Sequence, residues 1–261
     1  MDNFIIDNMT WSFSRLQSYN QCPYGFKLRY IDCIEGEGNF YSQYGSFVHS
    51  ILERFAKGEL SIFDISTYYE DNFIANVTYD APPNNYVDIK QSYYDKGLDY
   101  LNNIDLDLEG YEVLGVEKEC KFKVGDYNMV GYIDLLLRDK HTGDITVLDH
   151  KSGSVKFKKN GEPASSETKH LLDFKRQLYL YSIAVTEEFG VKPKYLQWNL
   201  FKDRNWFKIE FNDDELEEAK KWVIDTIDKI KNDIAFPPNP QHYFCYNLCD
   251  MRNCACEYKP V

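Results

Sequence analysis

The sequence has no long apolar run and no excess of positive charge. None of its 261 residues lies in a run of about 18 apolar residues, so a transmembrane helix is not expected. The first segment, MDNFIIDNMTWSFS, is acidic and has no basic stretch before an apolar core, unlike a secretory signal. We therefore expect a cytoplasmic protein with no membrane partner. The net charge of −12 also argues against a protein that coats nucleic acid nonspecifically.

The sequence also lacks internal repeats, low-complexity segments and the glycine-rich P-loop of a nucleotide-driven motor. The most turn-rich stretch, KKNGEPASSETKH, is predicted to be a loop inside a domain and not a linker between domains. We therefore predict one domain over residues 1–261. Any nucleotide-driven motor that works with this protein is expected on another chain.

Charged residues interrupt an apolar segment in the middle of the chain. VGYIDLLLRDKHTGDITVLDHKSGS is typical of two strands joined by a turn. A four-residue loop would place Asp134 opposite Asp149, with Lys151 on the face of Asp149 and His150 pointing away. Two adjacent carboxylates repel each other unless a cation lies between them. The patch is therefore either a salt-bridged triad with Lys151 or a site for Mg²⁺ or Mn²⁺.

Two predicted helices carry further candidate residues. YGSFVHSILERF has an apolar stripe with His49 beside it, and this histidine is either hydrogen-bonded in the core or a metal ligand. LLDFKRQLYLYSIAV places Gln177 and Tyr181 on one helix face, four residues apart. An aromatic core face would explain the tyrosine, but a glutamine in the core needs a polar partner.

Taken in chain order, these segments resemble the PD-(D/E)XK nucleases, in particular the RecB/AddB-like branch that includes CRISPR-adaptation nucleases and many phage exonucleases. GYIDLLL and VLDHKSG match the G-x-x-D and D-x-K motifs, while Gly45 with His49 and Gln177 with Tyr181 match G-x-x-x-H and Q-x-x-x-Y. The resemblance implies an α/β restriction-endonuclease-like core, with a central mixed sheet flanked by helices.

The resemblance also implies a role for each residue. Asp134, Asp149 and Lys151 correspond to the catalytic set, and Lys151 would orient the attacking water. Gln177 and Tyr181 would lie along the path of the DNA. Imidazole binding suits Mn²⁺ better than Mg²⁺. The metal ligands implied in this way are His49, Asp134, Asp149 and the backbone carbonyl of His150.

The chain has seven cysteines, and four of them crowd the segment FCYNLCDMRNCACEY. In a cytosolic protein this clustering favours zinc or an iron–sulfur cluster over disulfides. FSRLQSYNQCPYGFKLRYI resembles the segment that opens iron–sulfur members of the same group, which implies a [4Fe–4S] cluster joining the chain ends through residues 13–31 and 235–261. The C-terminal spacing differs from the usual pattern by one residue at the middle ligand, so zinc held by the C-terminal cysteines stays an alternative. The candidate ligands are Cys22, Cys245, Cys249, Cys254 and Cys256, with Cys254 and Cys256 competing for one position.

Two further charge patterns lie near the hairpin. From Lys151 to Arg176 there are seven basic and three acidic residues, which suggests phosphate contact more than a solvated loop if a phosphodiester is cleaved nearby. GVEKECKFKV is predicted to be the strand before the hairpin, with Glu117 and Glu119 on one face. The family resemblance implies a glutamate in this strand without distinguishing Glu117 from Glu119. A solvated strand face would also explain both, and neither is assigned to the catalytic set.

We therefore predict a metal-dependent DNA nuclease, with exonuclease activity favoured, that acts in recombination, repair or phage or CRISPR DNA processing. Its partner would be DNA, single-stranded or with free ends, and the resemblance adds a helicase or CRISPR-adaptation partner. The alternative is a non-catalytic DNA-binding or scaffold subunit of such a complex. Strands are predicted near 112–124, 128–138, 144–151, 194–202 and 205–211, and helices near 14–30, 44–57, 87–105, 169–189 and 213–233.

Overall fold

A computed structural model describes residues 2–159 and 162–258 of the protein, with side chains from residue 4 onwards. The domain predicted over residues 1–261 and the cysteine-bearing segment predicted at 235–261 both reach residues 259–261, which lie outside the described residues. No helix in the described ranges is long and apolar enough to cross a membrane.

The described part of the chain contains a mixed sheet in the order β1-β2-β3-β4-β5. Strands β1, β2 and β3 pair antiparallel, β3 and β4 pair parallel, and β5 returns antiparallel to β4. Every residue of β3 is buried, as expected for a strand covered on both faces. The predicted α/β fold is confirmed, and each predicted strand is found within two residues of its predicted ends. The strands are β1 Tyr111–Val124, β2 Tyr127–Asp139, β3 Ile145–His150, β4 Tyr195–Leu200 and β5 Asn205–Glu210.

Helices cover both faces of this sheet. On one face lie α1–α3, α7 and α8, and α8 illustrates why such helices form. Asn212 caps its first turn through the amides of Asp214 and Glu215, where acidic residues also favour the helix dipole. Its apolar positions recur every three or four residues and are buried against the core. These helices are α1 Asp2–Asp7, α2 Phe13–Gln21, α3 Pro23–Phe26, α7 Thr168–Phe189 and α8 Asp213–Asn232.

A second apolar cluster contains α4 Phe40–Ala56, α5 Ile65–Asn76 and α6 Ile89–Asn102, together with Phe201 after β4. A reciprocal capping box begins α4: Asn39 accepts from the Ser42 amide, and Ser42 accepts from the Asn39 amide. These contacts hold the start of α4 and so determine which side chains it presents towards β1 and β2.

The helix predicted over residues 14–30 is interrupted, which corrects that prediction. Helix α2 ends at Gln21, and Cys22 has an extended backbone with φ −158° and ψ 105°. Pro23 then begins α3, and a π-helical turn follows over Lys27–Ile31. A residue before proline is driven away from helical geometry, so Cys22 lies at a corner and not along a helix.

The C-terminal segment packs directly against the residues that follow this corner. The Glu37 amide donates to the Asp250 carbonyl at 2.9 Å, and the Asn39 side chain donates to the Leu248 carbonyl at 3.1 Å. Arg29 also forms an ion pair with Asp250. A short helix, α9 His242–Asn247, precedes this contact. Hydrogen bonds and an ion pair within the protein thus join the two chain ends in the described residues.

Candidate active site

The site begins where β2 and β3 separate. Their ladder has the predicted register, with Leu135 opposite Leu148, and ends at that pair. One residue further on, Oδ2 of Asp134 accepts a hydrogen bond from the His150 amide at 2.6 Å. The carboxylate of Asp134 therefore takes the place of a backbone acceptor at the point where the strands diverge. This hydrogen bond fixes the position of the carboxylate in the sheet.

A polar network runs from Asp149 to α7. Nζ of Lys151 lies 3.1 Å from Oδ1 and 2.9 Å from Oδ2 of Asp149, and it donates to Oε1 of Gln177 at 2.8 Å. The Gln177 amide in turn donates to the Tyr181 hydroxyl at 3.3 Å. Asp149 is only 3% exposed, so its charge needs this ammonium. The network gives Gln177 the polar partners that its position requires and holds Lys151 in place.

Tyr181 is buried, and its ring contacts the backbone of Gly131. A Cβ atom at position 131 would lie 2.2 Å from that ring, so only glycine permits this packing. Gly131 is the first residue of the G-x-x-D motif. The residue that Tyr181 packs against therefore lies three positions before Asp134 on the same strand. In this arrangement Tyr181 supports Gln177, and contact of either residue with DNA stays a prediction.

Helix α4 brings His49 to the same place. A Cβ atom at Gly45 would lie 3.3 Å from Oγ of Ser152, so the glycine lets the helix approach the loop after β3. One helical turn later, Nδ1 of His49 lies 3.5 Å from Oδ2 of Asp134. In the G-x-x-x-H motif, the glycine thus allows α4 to approach the loop after β3, and the histidine one turn later faces the carboxylate of Asp134.

Glu117 completes a group that sequence reasoning did not assign. Ligand atoms of His49, Glu117 and Asp134 all lie within 4.8 Å of one another. Glu117 has a left-handed backbone with φ 46°, which is uncommon for a non-glycine residue and is concentrated at functional sites. Glu119, by contrast, points to the surface and pairs with Lys121 at 3.0 Å.

The turn between β1 and β2 contains the signal that identifies Glu117. Gly125 and Asp126 form a two-residue connection between Val124 and Tyr127, which pair with each other, and Gly-Asp is a known hairpin dipeptide. Counting back from that turn, with Val116 opposite Leu135, places Glu117 level with Asp134. The register of this hairpin, and not the alternation of β1 alone, distinguishes Glu117 from Glu119.

The electrostatics of the group favour a cation. Burial and the nearby carboxylate of Asp149 raise the pKa of Asp134 well above its ordinary value, although Lys151 and the His150 amide oppose the shift. Burial raises the pKa of Glu117, with Glu53 and Asp149 adding to the effect. Burial lowers the pKa of His49, which favours the neutral imidazole. Two carboxylates and a neutral imidazole fit a divalent ion such as Mn²⁺ or Mg²⁺.

The side chain of His150 points away from this group, as the strand pattern predicts. Its ring is buried, with Nδ1 2.9 Å from the Asn199 amide nitrogen, which also donates to the Tyr100 hydroxyl at 2.6 Å. An amide nitrogen only donates, so Nδ1 accepts and the neutral ring carries its proton on Nε2. Burial lowers the pKa of His150 well below its ordinary value. The side chain is thus tied into the sheet, and a metal role for His150 can involve only its backbone.

The basic segment after the hairpin is partly neutralised. Lys175 pairs with Glu215 at 3.2 Å, and Arg176 pairs with Glu218 and Asp173. These two cations on α7 therefore contribute to the packing of α7 against α8, which limits how much of the predicted phosphate-contacting surface they can supply.

The candidate cluster cysteines are not gathered around one point. Among residues 2–159 and 162–258, no three cysteine sulfurs fall within 4.8 Å of one another. Cys22 and Cys249 nevertheless line one cavity of about 440 Å³. Burial raises the pKa of the Cys249 thiol to about 11, and Cys256 and Cys245 add to this shift. Sγ of Cys254 instead contacts the Asp250 carbonyl at 3.3 Å.

The fold is similar to that of solved structures. The structure is similar to a crystal structure from Eubacterium rectale described as a "Putative exonuclease", with a TM-score of 0.53, 13% identity, and coverage of 97% of this chain and 90% of that chain. A structure named SSO0001 matches more distantly, with a TM-score of 0.39, 16% identity and coverage of 97% and 88%. No curated protein sequence matches significantly. The model of the PD-(D/E)XK nuclease superfamily matches residues 10–261, and the chain therefore belongs to that superfamily.

Proposed function

We propose that the protein is a metal-dependent deoxyribonuclease that hydrolyses phosphodiester bonds. The observation that carries this proposal is the convergence of His49, Glu117 and Asp134 beside an ion pair of Asp149 and Lys151. A structural salt-bridged triad would not need the additional glutamate and histidine. Burial and neighbouring carboxylates raise the pKa values of Asp134 and Glu117, so a bound cation would stabilise their ionised forms.

The metal would be held by His49, Glu117 and Asp134, with Asp149 and the carbonyl of His150 as the further ligands implied by the family resemblance. When bound, a divalent ion in such a site lowers the pKa of a water molecule and offsets negative charge on the phosphate. Lys151 is the one ammonium in the network with Asp149 and Gln177. It would orient the attacking water and donate to the phosphate oxygen on which charge develops. Gln177 acts as a positioning residue by holding Lys151.

Exonuclease action on single-stranded DNA or on free ends remains the favoured form of this activity. An assay with end-labelled single-stranded and double-stranded DNA in Mn²⁺ tests it, because products shortened from one end identify an exonuclease and internal fragments an endonuclease. Absence of metal-dependent cleavage on any DNA would favour the alternative of a non-catalytic subunit. Within the described part of the chain, no feature supports a helicase or CRISPR-adaptation partner.

We propose further that the chain ends bind a [4Fe–4S] cluster, with zinc as the alternative. Cys22 and Cys249 share a cavity, and Cys245 and Cys256 lie close enough to Cys249 to raise its pKa. A four-iron cluster is larger than a single ion, so its ligands stand farther apart than those of zinc. Cys254 and Cys256 stay alternatives for the fourth position, because each thiol contacts a backbone carbonyl, that of Asp250 at 3.3 Å and that of Tyr258 at 3.7 Å. Iron and zinc analysis of anaerobically purified protein distinguishes the two metals.

A further inference from the structure

We propose that an unpaired nucleotide binds at a tyrosine subsite, which consists of Tyr41, Tyr93, Tyr243 and Lys202. This nucleotide would belong to a single strand that leads to the catalytic carboxylates. The proposal rests on the proposed nuclease function and specifies how that site would select its substrate. The ligand is single-stranded nucleic acid, recognised by base stacking and by one phosphate contact.

The subsite brings together four separate parts of the chain. The Tyr41 ring on α4 lies 5.5 Å from the Tyr93 ring on α6. Burial raises the pKa of the Tyr41 hydroxyl, and the nearby side chain of Tyr243 on α9 adds to this shift. Lys202, in the turn after β4, donates to the Tyr93 hydroxyl at 3.2 Å and lies 4.7 Å from the centre of its ring. Contacts with Phe40 hold the rings of Tyr41 and Tyr93 in place, so these two side chains have little entropy left to lose when a ligand binds.

The tyrosine subsite is continuous with the catalytic cleft. Tyr41 lines the same cavity, of about 520 Å³, as His49, Glu117 and Ser152. Tyr41 and His49 are separated along α4 by about 12 Å, since each residue of an α-helix rises about 1.5 Å. Stacked nucleotides rise about 3.4 Å per residue along a strand. A strand with its phosphate at the carboxylates would therefore place a base a few nucleotides away at the tyrosines.

Exposure and charge explain why an unpaired base suits the tyrosine subsite. Tyr243 is 61% exposed, so its ring is accessible to a ligand. Aromatic rings bind bases by stacking, whatever their sequence, and a base paired within a duplex is already stacked on its neighbours. In a protein of net charge −12, stacking supplies attraction where long-range electrostatics opposes a polyanion.

Lys202 provides a cation beside these rings. It is partly buried, and burial lowers its pKa although Asp203 opposes the shift. A poorly hydrated ammonium gains more from a phosphate oxygen than a fully solvated one does. The subsite thus pairs a base-stacking surface with one phosphate contact.

Equilibrium binding of a fluorescently labelled single-stranded oligonucleotide tests the proposal, with Lys151→Ala as the parent so that the probe is not cleaved. Tyr243→Ala should weaken binding about tenfold, the scale expected when one base loses an aromatic partner. Tyr243→Phe, which keeps the ring, should retain most of the affinity. Lys202→Gln should reduce the slope of log affinity against log salt by about 0.7, corresponding to one phosphate on a single strand. Binding of a blunt duplex should not change in Tyr243→Ala.

Phe63→Ala is the matched control, because Phe63 is 89% exposed and lies beyond the opposite end of α4 from Tyr41. Equal affinities for the single strand in the parent, Tyr243→Ala and Phe63→Ala would overturn the proposal, as would a parent that does not bind single strands. An equal loss in Tyr243→Phe and Tyr243→Ala would also overturn it, because the hydroxyl and not the ring would then account for the affinity. Failure of the proposed nuclease activity is recognised separately, because the wild type would then cleave no DNA while the binding series still reports on the tyrosines.

Discussion

In the catalytic centre, ligand atoms of a histidine, a glutamate and an aspartate converge within 4.8 Å, whereas at the chain ends no three described cysteine sulfurs do so. Both regions are held by direct protein contacts, but those contacts act differently. In the centre they involve the functional side chains themselves, as in the bond from the His150 amide to Asp134. At the chain ends they join backbone groups near the cysteines, such as Glu37 and Asp250. The protein contacts thus bring the functional side chains of the first region together, whereas those at the chain ends leave the described cysteine sulfurs apart.

The largest expected effect concerns Lys151. Lys151→Ala should reduce DNA cleavage by at least about 100-fold, because the only ammonium described in the Asp149–Gln177 network is lost where charge develops on the phosphate. Cleavage of end-labelled DNA in Mn²⁺ measures the rate, and thermal unfolding checks that the fold persists. Lys175→Ala is the matched control, because this lysine pairs with Glu215 on α8. Wild-type cleavage by Lys151→Ala would show that the hairpin is not the active site.

A smaller effect is expected at the two glutamates of β1. Glu117→Gln should weaken Mn²⁺ binding about 10- to 100-fold, comparable to the loss of a supporting group at a metal centre, whereas Glu119→Gln should not change it. Titration of free Mn²⁺ by electron paramagnetic resonance measures the affinity without relying on activity. If the two variants bind Mn²⁺ equally, Glu117 is not a ligand and its left-handed backbone has another cause.

The cysteine region should respond differently to loss of one ligand. Cys22→Ser should remove the iron and the colour of anaerobically purified protein, and it should make the segment after Phe244 more sensitive to protease, because a cluster would close a long loop. Cys33→Ser is the control. Since the Asn39–Leu248 contact does not need a metal, the increase in cleavage should be only severalfold. A colourless wild type with one zinc, unchanged by Cys22→Ser, would instead place the metal on the C-terminal cysteines alone.

Much of the catalytic geometry follows from the sequence, because short-range patterns determine it. The register of β2 and β3 follows from a tight turn, and the G-x-x-x-H spacing matches the approach of Gly45 to Ser152. Glu117 was left unassigned because alternation along β1 cannot separate it from Glu119. Only the count from the turn at Gly125 and Asp126 does so, and the left-handed backbone at position 117 is a property of the folded sheet.

The remaining differences also have physical causes. Helix α5 was not predicted because it buries only Ile65, Tyr69 and Phe73, which is too narrow a stripe to stand out in a polar segment. The break after α2 follows from Pro23, because proline drives the preceding residue, Cys22, away from helical geometry, and the spacing of apolar residues does not report this effect. The pairing of Lys175 and Arg176 with α8 depends on how two distant helices pack, and no local pattern reports that contact.

The smallest expected effect is on stability, and it compares the catalytic centre with and without its cation. Because the pKa of Asp134 is raised in the folded protein, the folded state retains a proton that the unfolded state loses as the pH rises above the ordinary aspartate range. Stability of the metal-free protein should therefore fall with rising pH until the folded carboxyl ionises, by at most about 1.4 kcal/mol per pH unit.

Asp134→Asn keeps an acceptor for the His150 amide and removes this ionisation. The variant should gain stability over the wild type as the pH rises, measured by denaturant unfolding in chelator. Adding Mn²⁺ should reverse the order, because binding to the folded wild type stabilises it. Parallel pH profiles of the two proteins in chelator would show that Asp134 is not held protonated by burial and by its neighbouring carboxylate.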